Sequence, residues 1–305
     1  MESVGHAEEV RFEGGDCSLA GTFVDPGDAR AVALILTGSG RLDRDSNSGA
    51  FRAQVNPAIA GALAGQAIAS LRYDKRGAGE SGGDFFATGM GDNYTDAVAA
   101  VGWLAGRAAG RPIFAIGHSE GAIHVAHLAA DGRLAAAVLI ACPGRRGEEI
   151  LTWQAAQIAK TLPPATKTIL KLLRIDPLKS QQKAFARIRS STADSLRIQG
   201  RKQNARWLRE FMDFDPGPIF KRIHRPVLIV VPEHDIQVPP EDAQTICNVV
   251  SGPCDKVIVP GLSHILRDDP RSKGVSAYKR ALKAPVSPIV LETIANWIAN
   301  EVDTE

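Results

Sequence analysis

The chain has 305 residues, 44% of them hydrophobic, four cysteines and a net charge of +2. That length and apolar content support a full core, in one large domain with an insertion or in two domains, and the near-neutral charge gives no reason to expect nucleic acid as a partner. The polar, acidic start MESVGHAEEV lacks the basic head and apolar run of a secretory leader, and no apolar run approaches the roughly 18 to 20 residues that span a bilayer.

Residues 10–24 alternate apolar and polar positions around Gly14-Gly15-Asp16, which predicts two antiparallel strands. Ala31–Leu36 is a continuous apolar run fit for a strand covered on both faces, and it empties into Thr37-Gly38-Ser39-Gly40. A loop with two glycines at the end of a buried strand can bring backbone N–H groups close to a ligand, so Ser39 is a candidate donor. A helix over about 51–64 and a strand over about 67–73 follow. The glycine-rich 74–82 loop does not complete a dinucleotide spacing, because no helix follows it at once. A second helix is expected over about 93–108.

The stretch RPIFAIGHSEGAIHVAHLAA, 111–130, places a short apolar strand, then Gly117-His118-Ser119-Glu120-Gly121, then a helix-compatible run. This is a strand, a sharp turn and a helix with a serine at the tip. A serine so placed sits in a strained conformation, and the positions two before and two after it have room only for glycine. A further buried strand is predicted over 134–141.

From 144 to 225 the rhythm changes to helical patterns near 150–162, 165–173, 181–188 and 204–211, with no convincing strand. The expected organisation is therefore a core of 1–143 and 226–305 with an all-helical insertion, 144–225. The insertion carries 18 Lys/Arg against 7 Asp/Glu, either as solvated helix faces or as a basic surface suited to anionic substrates or an anionic surface. The sheet resumes at 226–231 and 256–259, and a closing helix is expected over about 288–300. Alternating strands and helices predict an α/β fold with a mostly parallel sheet covered on both faces.

Ser119, Asp235 and His264 each follow a predicted strand, and such loops converge on one edge of an open parallel sheet. A serine nucleophile needs an imidazole to take its proton and a carboxylate to fix the imidazole's tautomer, and the order Ser, Asp, His is one of the known orders. Glu233 and Asp242 are alternative carboxylates. His118 is expected to point away from the site, and His234 competes with its neighbour Asp235 for one facing position. His124 and His127 have metal-compatible spacing but no third ligand in view, so no metal or other cofactor is expected. Cys17, Cys142, Cys247 and Cys254 show no C-x-x-C spacing, which argues against zinc and for a reducing, cytoplasmic setting.

Together, the GHSEG turn, the D-x-x-V-P segment at Asp235, the late His264, the TGSG loop and the inserted helices resemble an α/β-hydrolase with a helical cap. Gly38-Ser39-Gly40 with Asp43-Arg44-Asp45, Tyr73-Asp74-Lys75-Arg76-Gly77, and Trp207 through Phe211 to Asp215-Pro216 are similar to a bacterial esterase branch called serine aminopeptidase-like hydrolases. Thr37 stands where many members have histidine. The resemblance implies hydrolysis of a small to medium carboxylic ester, with Ser119, His264 and Asp235 as the triad and the N–H groups of Ser39 and Glu120 as the oxyanion donors. The same triad would also serve a thioesterase, an amidase or an acyltransferase, and a non-catalytic binding protein on this scaffold is the remaining alternative. The sequence leaves the oligomeric state open.

Overall fold

The continuous apolar runs of the sequence stand side by side in one eight-stranded sheet. The computed structural model describes residues 5–269 and 274–304. The strands are β1 (His6–Gly14), β2 (Cys17–Asp25), β3 (Ala31–Leu36), β4 (Ile68–Tyr73), β5 (Ile113–His118), β6 (Ala136–Ile140), β7 (Val227–His234) and β8 (Cys254–Ser263), in the spatial order β1-β2-β4-β3-β5-β6-β7-β8. β1 and β2 form the expected antiparallel hairpin, β2 meets β4 antiparallel, and the other neighbours are parallel.

The helices are α1 (Val55–Ala64), α2 (Met90–Ala108), α3 (Glu120–Ala130), α4 (Gly147–Thr161), α5 (Pro164–Leu172), α6 (Pro177–Arg189), α7 (Ala205–Asp213), α8 (Gly217–Phe220), α9 (Asp242–Cys247), α10 (Val275–Ala281) and α11 (Pro288–Thr304). β3 shows why its run has no polar residue. Val32, Leu34 and Leu36 pack under α2 and α3, while Ala31, Ala33 and Ile35 pack under α1 and α11. Both faces of the strand are out of water, so alternation has nothing to encode.

Three expectations need correction. Residues 51–52 pair with Asn47–Ser48 instead of opening a helix, and α1 starts at Val55. The 144–225 segment is not all helical: Ser195–Ile198 and Arg201–Asn204 form an antiparallel hairpin with the turn residues Gln199 and Gly200 at positive φ. Its four-residue strands, SLRI and RKQN, are too short and polar to announce themselves by period. Finally, Cys247 and Cys254 form a disulfide between the end of α9 and the start of β8, leaving Cys17 and Cys142 as the free thiols among the described residues. Spacing alone hid this pair, because an irregular turn after α9 returns the chain to β8, and the cysteines no longer argue for a reducing compartment.

Candidate active site

Ser119 sits between β5 and α3 with φ 56° and ψ −119°, a strained backbone for a residue with a side chain. Its N–H donates to the carbonyl of Ile140 on β6 at 2.9 Å, and its carbonyl accepts from Ala122 at 3.0 Å, which fixes the turn from both sides. The flanking glycines are sterically required. A Cβ on Gly117 would run into the backbone of Gly121, and one on Gly121 would lie 2.7 Å from the carbonyl oxygen of Leu36. The strand, the helix and the loop after β3 therefore touch through backbone alone.

Asp235 and His264 come together through sheet register. Pro232 on β7 pairs with Val259 on β8, but His234 pairs with Ser263, so a step of two residues on β7 is matched by a step of four on β8. This bulge advances β8 until the residues that follow the paired His234 and Ser263 leave the sheet side by side. Nδ1 of His264 lies 2.7 Å from Oδ2 of Asp235, and both side chains are buried. The other carboxylate oxygen accepts the N–H groups of Gln237 at 2.7 Å and Val238 at 3.0 Å. A carboxylate held that way can only accept, so Nδ1 of His264 carries the hydrogen and Nε2 is left with its lone pair. The alternative acids are engaged elsewhere: Glu233 accepts the N–H of Gly261, and Asp242 accepts from the N–H of Gly144 and from Arg145.

His118 does not point away. It shares a cavity with Ser119 and His264, its ring lies 4.7 Å from the ring of His264, and its Nε2 donates to the His264 carbonyl at 2.9 Å. Burial and the neighbouring imidazole lower its pKa to about 3, against a hydrogen bond that opposes them, so the ring is neutral. Its place just before the serine suggested the opposite side, but His118 ends β5, where the turn begins to redirect side chains.

The residue after Ser119 contributes a side chain that the sequence did not single out. Glu120 is buried, with its carboxylate taking Nζ of Lys75 at 3.2 Å, Nδ2 of Asn93 at 2.9 Å, Nε1 of Trp207 at 2.9 Å and Nε2 of His124 at 3.3 Å. Burial alone would raise its pKa, but the Lys75 ammonium and the bonds from His124 and Trp207 outweigh that and hold the carboxyl well below the usual range. Lys75 also donates to the carbonyl of Gly38 at 3.2 Å, tying the loop after β3 to the start of α3. Among the described residues, no protein acceptor takes the N–H of Ser39 or of Glu120. Tyr94 stacks on His127 at 3.8 Å between ring centroids and also faces the ring of His124 at 6.4 Å. Arg44 and Asp74 pair at 2.8 Å and brace the neighbouring loops.

Space for a ligand opens on two sides of Ser39. A cavity of about 310 Å³ is lined by Ser39, His118, Ser119 and His264 together with apolar residues including Leu42, Phe51, Val55 and Ile158. A second, of about 250 Å³, lies between Ser39, Phe85, Phe86, Lys202 and Trp207. The inserted segment supplies Ile158 to the first and Lys202 and Trp207 to the second.

Comparison with known proteins agrees with this architecture. Residues 52–271 match the family model described as serine aminopeptidase, S33. Esterase EstD of Thermotoga maritima is 27% identical over 269 residues, and the chain spans 61% of that relative's length while 88% of the chain is matched. Among solved structures, Est1E from Butyrivibrio proteoclasticus with ferulic acid bound aligns with a TM-score of 0.64 at 19% identity, covering 96% of this chain and 99% of that one. The Pyrococcus furiosus esterase Pf2001 aligns with a TM-score of 0.59 at 16% identity, covering 98% and 93%. The strand order, the serine turn and a family match over more than half its length show that the chain has the α/β-hydrolase fold and belongs to the serine aminopeptidase S33-like hydrolase family.

Proposed function

We propose that the protein is a serine carboxylesterase that cleaves small to medium esters through an acyl-enzyme. The observation that carries the reading is a serine on a strained turn and an imidazole that open on one cavity, with Asp235 hydrogen-bonded to that imidazole from behind. Nε2 of His264 takes the hydroxyl proton as Oγ of Ser119 bonds to the ester carbonyl carbon, and Asp235 stabilises the imidazolium. The carbonyl electron pair moves to oxygen, which the N–H groups of Ser39 and Glu120 hold. When the intermediate collapses, the bond to the alcohol oxygen breaks and His264 returns the proton to that oxygen. Water then attacks the acyl-Ser119 ester by the same route, releasing the acid.

In this reading residues 144–225 are a cap on the core formed by 1–143 and 226–305, because α4 and α7 line the cavities next to Ser39 and Ser119. The EstD, Est1E and Pf2001 names support ester chemistry over peptide cleavage. Replacement of Ser119 by alanine is expected to abolish hydrolysis of p-nitrophenyl esters and labelling by a fluorophosphonate probe. Undiminished labelling of that variant would overturn the assignment.

A further inference from the structure

The inserted segment carries an apolar face that covers nothing. No residue of α5 is buried. Ile169 is 55% exposed, Leu172 77%, Leu173 63% and Ile175 44%. Among the described residues, five of the eight exposed large apolar side chains fall between 169 and 178, counting Leu178, so this is a patch and not the ordinary scatter of a surface. Ile169, Leu172 and Leu173 are spaced three and four apart and share one side of the helix.

The charges around this face are of one sign. Between 160 and 187 the chain has seven Lys or Arg and a single acid, Asp176, whose carboxylate is spent on the N–H groups of Leu178 and Lys179 at the start of α6. Lys167, Lys171, Arg174, Lys179 and Lys183 make no ion pair with any described residue. Ion pairs of the insert are found on other elements: Arg145 pairs with Asp242, Arg189 with Glu148, Arg206 with Asp92 and Arg222 with Asp131. The five cations between 167 and 183 thus stand without a counter-charge in the same segment that exposes its apolar side chains.

We propose that α5 and the turn into α6 form a docking surface for an anionic lipid bilayer. Amphipathic helices with apolar side chains flanked by Lys and Arg lie in the headgroup region, where both halves of the pattern are satisfied. A second copy of the chain would bury the apolar stripe but set five unpaired cations against five more. An anionic surface neutralises them. The position gives docking a use, since α4 ends at Thr161, just before α5, and contributes Ile158 to the cavity beside Ser119. Val275, 41% exposed, lines the same cavity, and Thr161 packs against Gly274. The rim of the cavity therefore reaches the surface at the end of α4, next to the docking face, where an ester dissolved in lipid would enter. Only this last consequence rests on the esterase reading; docking itself is independent of chemistry at Ser119.

The test is co-sedimentation of the full-length Ser119→Ala protein with vesicles of phosphatidylcholine alone and with phosphatidylcholine containing phosphatidylglycerol. Binding is expected to the mixed vesicles and not to the neutral ones, and to weaken steeply as salt rises. Lys167→Gln, Lys171→Gln and Arg174→Gln together should lower the partition coefficient by about 100-fold, at roughly fivefold per cation. Leu172→Asp with Leu173→Asp should abolish binding while leaving the thermal unfolding temperature in place, because neither side chain is buried. Absence of binding, or binding that these variants do not change, overturns the proposal. So does a concentration-dependent dimer that the Leu172→Asp and Leu173→Asp changes dissolve in the absence of lipid. Loss of esterase activity in every assay, with vesicle binding intact, would refute the function proposed for Ser119 and leave the docking surface standing.

Discussion

His118 donates from Nε2 to the main-chain carbonyl of His264 across 2.9 Å, so the residue before the serine holds the loop that presents the imidazole. Removing this bond should act through the position of His264. His118→Ala is expected to lower kcat by about 100-fold, the scale of a misplacement near 1 Å, with KM changed far less. His118→Gln, which keeps an N–H donor, should retain more activity. Steady-state kinetics on a p-nitrophenyl ester distinguishes these outcomes, and equal rates for wild type and His118→Ala would show that the bond positions nothing.

The same histidine makes the fold sensitive to acid. Its pKa is near 3 in the folded chain against an ordinary 6.5, so between those values the unfolded chain binds a proton that the folded chain refuses. Stability then rises with pH across that window and is lost as pH falls below about 6.5. His118→Gln removes this contribution. Urea midpoints measured at neutral pH and near pH 4 should fall more for the wild type than for the variant, and parallel losses would contradict a buried neutral imidazole.

Most of this architecture was legible in the sequence because burial writes simple patterns. β3 reads as AVALIL since both faces pack, and GHSEG reads as a turn since Gly117 and Gly121 meet backbone on every side. What was not legible depends on contacts between distant segments. The Glu120 carboxylate is joined by Lys75, Asn93 and Trp207 from three separate elements, and no local pattern reports that convergence. The Ser195–Ile198 hairpin has no apolar face of its own size, and the Cys247–Cys254 bond depends on how the chain turns back after α9.

Asp235→Asn tests the tautomer argument. The Asn oxygen can still accept from Gln237 and Val238, but its amide then faces Nδ1 of His264 as a donor. The imidazole is driven to the tautomer with hydrogen on Nε2, where it cannot take a proton from Ser119. A fall in kcat on the order of 10⁴ is expected, with the unfolding temperature little changed. Rates within about tenfold of wild type would assign the carboxylate role elsewhere.

Gly121→Ala probes how tightly the turn and the loop after β3 are joined. The added methyl would lie 2.5 Å from the carbonyl oxygen of Thr37, and that backbone has to move. Overpacking of this kind costs about 1–3 kcal/mol, enough to lower the melting temperature by several degrees. Because Thr37 leads into Gly38 and Ser39, activity should fall along with stability. A stable variant with normal kinetics would mean the loop accommodates the methyl freely.

Glu120→Gln separates charge from shape at the most heavily bonded side chain of the site. Glutamine can still accept from Trp207, Asn93 and His124, but it leaves the Lys75 ammonium, 11% exposed, without its counter-charge. Breaking one side of a buried pair costs about 3–5 kcal/mol, whereas removing both sides with similar volume is far less damaging. Lys75→Met combined with Glu120→Gln should therefore recover much of the melting temperature lost by Glu120→Gln alone. It should not recover the rate, because Nζ of Lys75 also holds the carbonyl of Gly38 at 3.2 Å and methionine offers that oxygen nothing. Calorimetry and ester hydrolysis on the single and double variants give both readouts. Recovery of stability without rate ties Lys75 to the placement of Ser39, whereas recovery of both would confine Lys75 to charge balance.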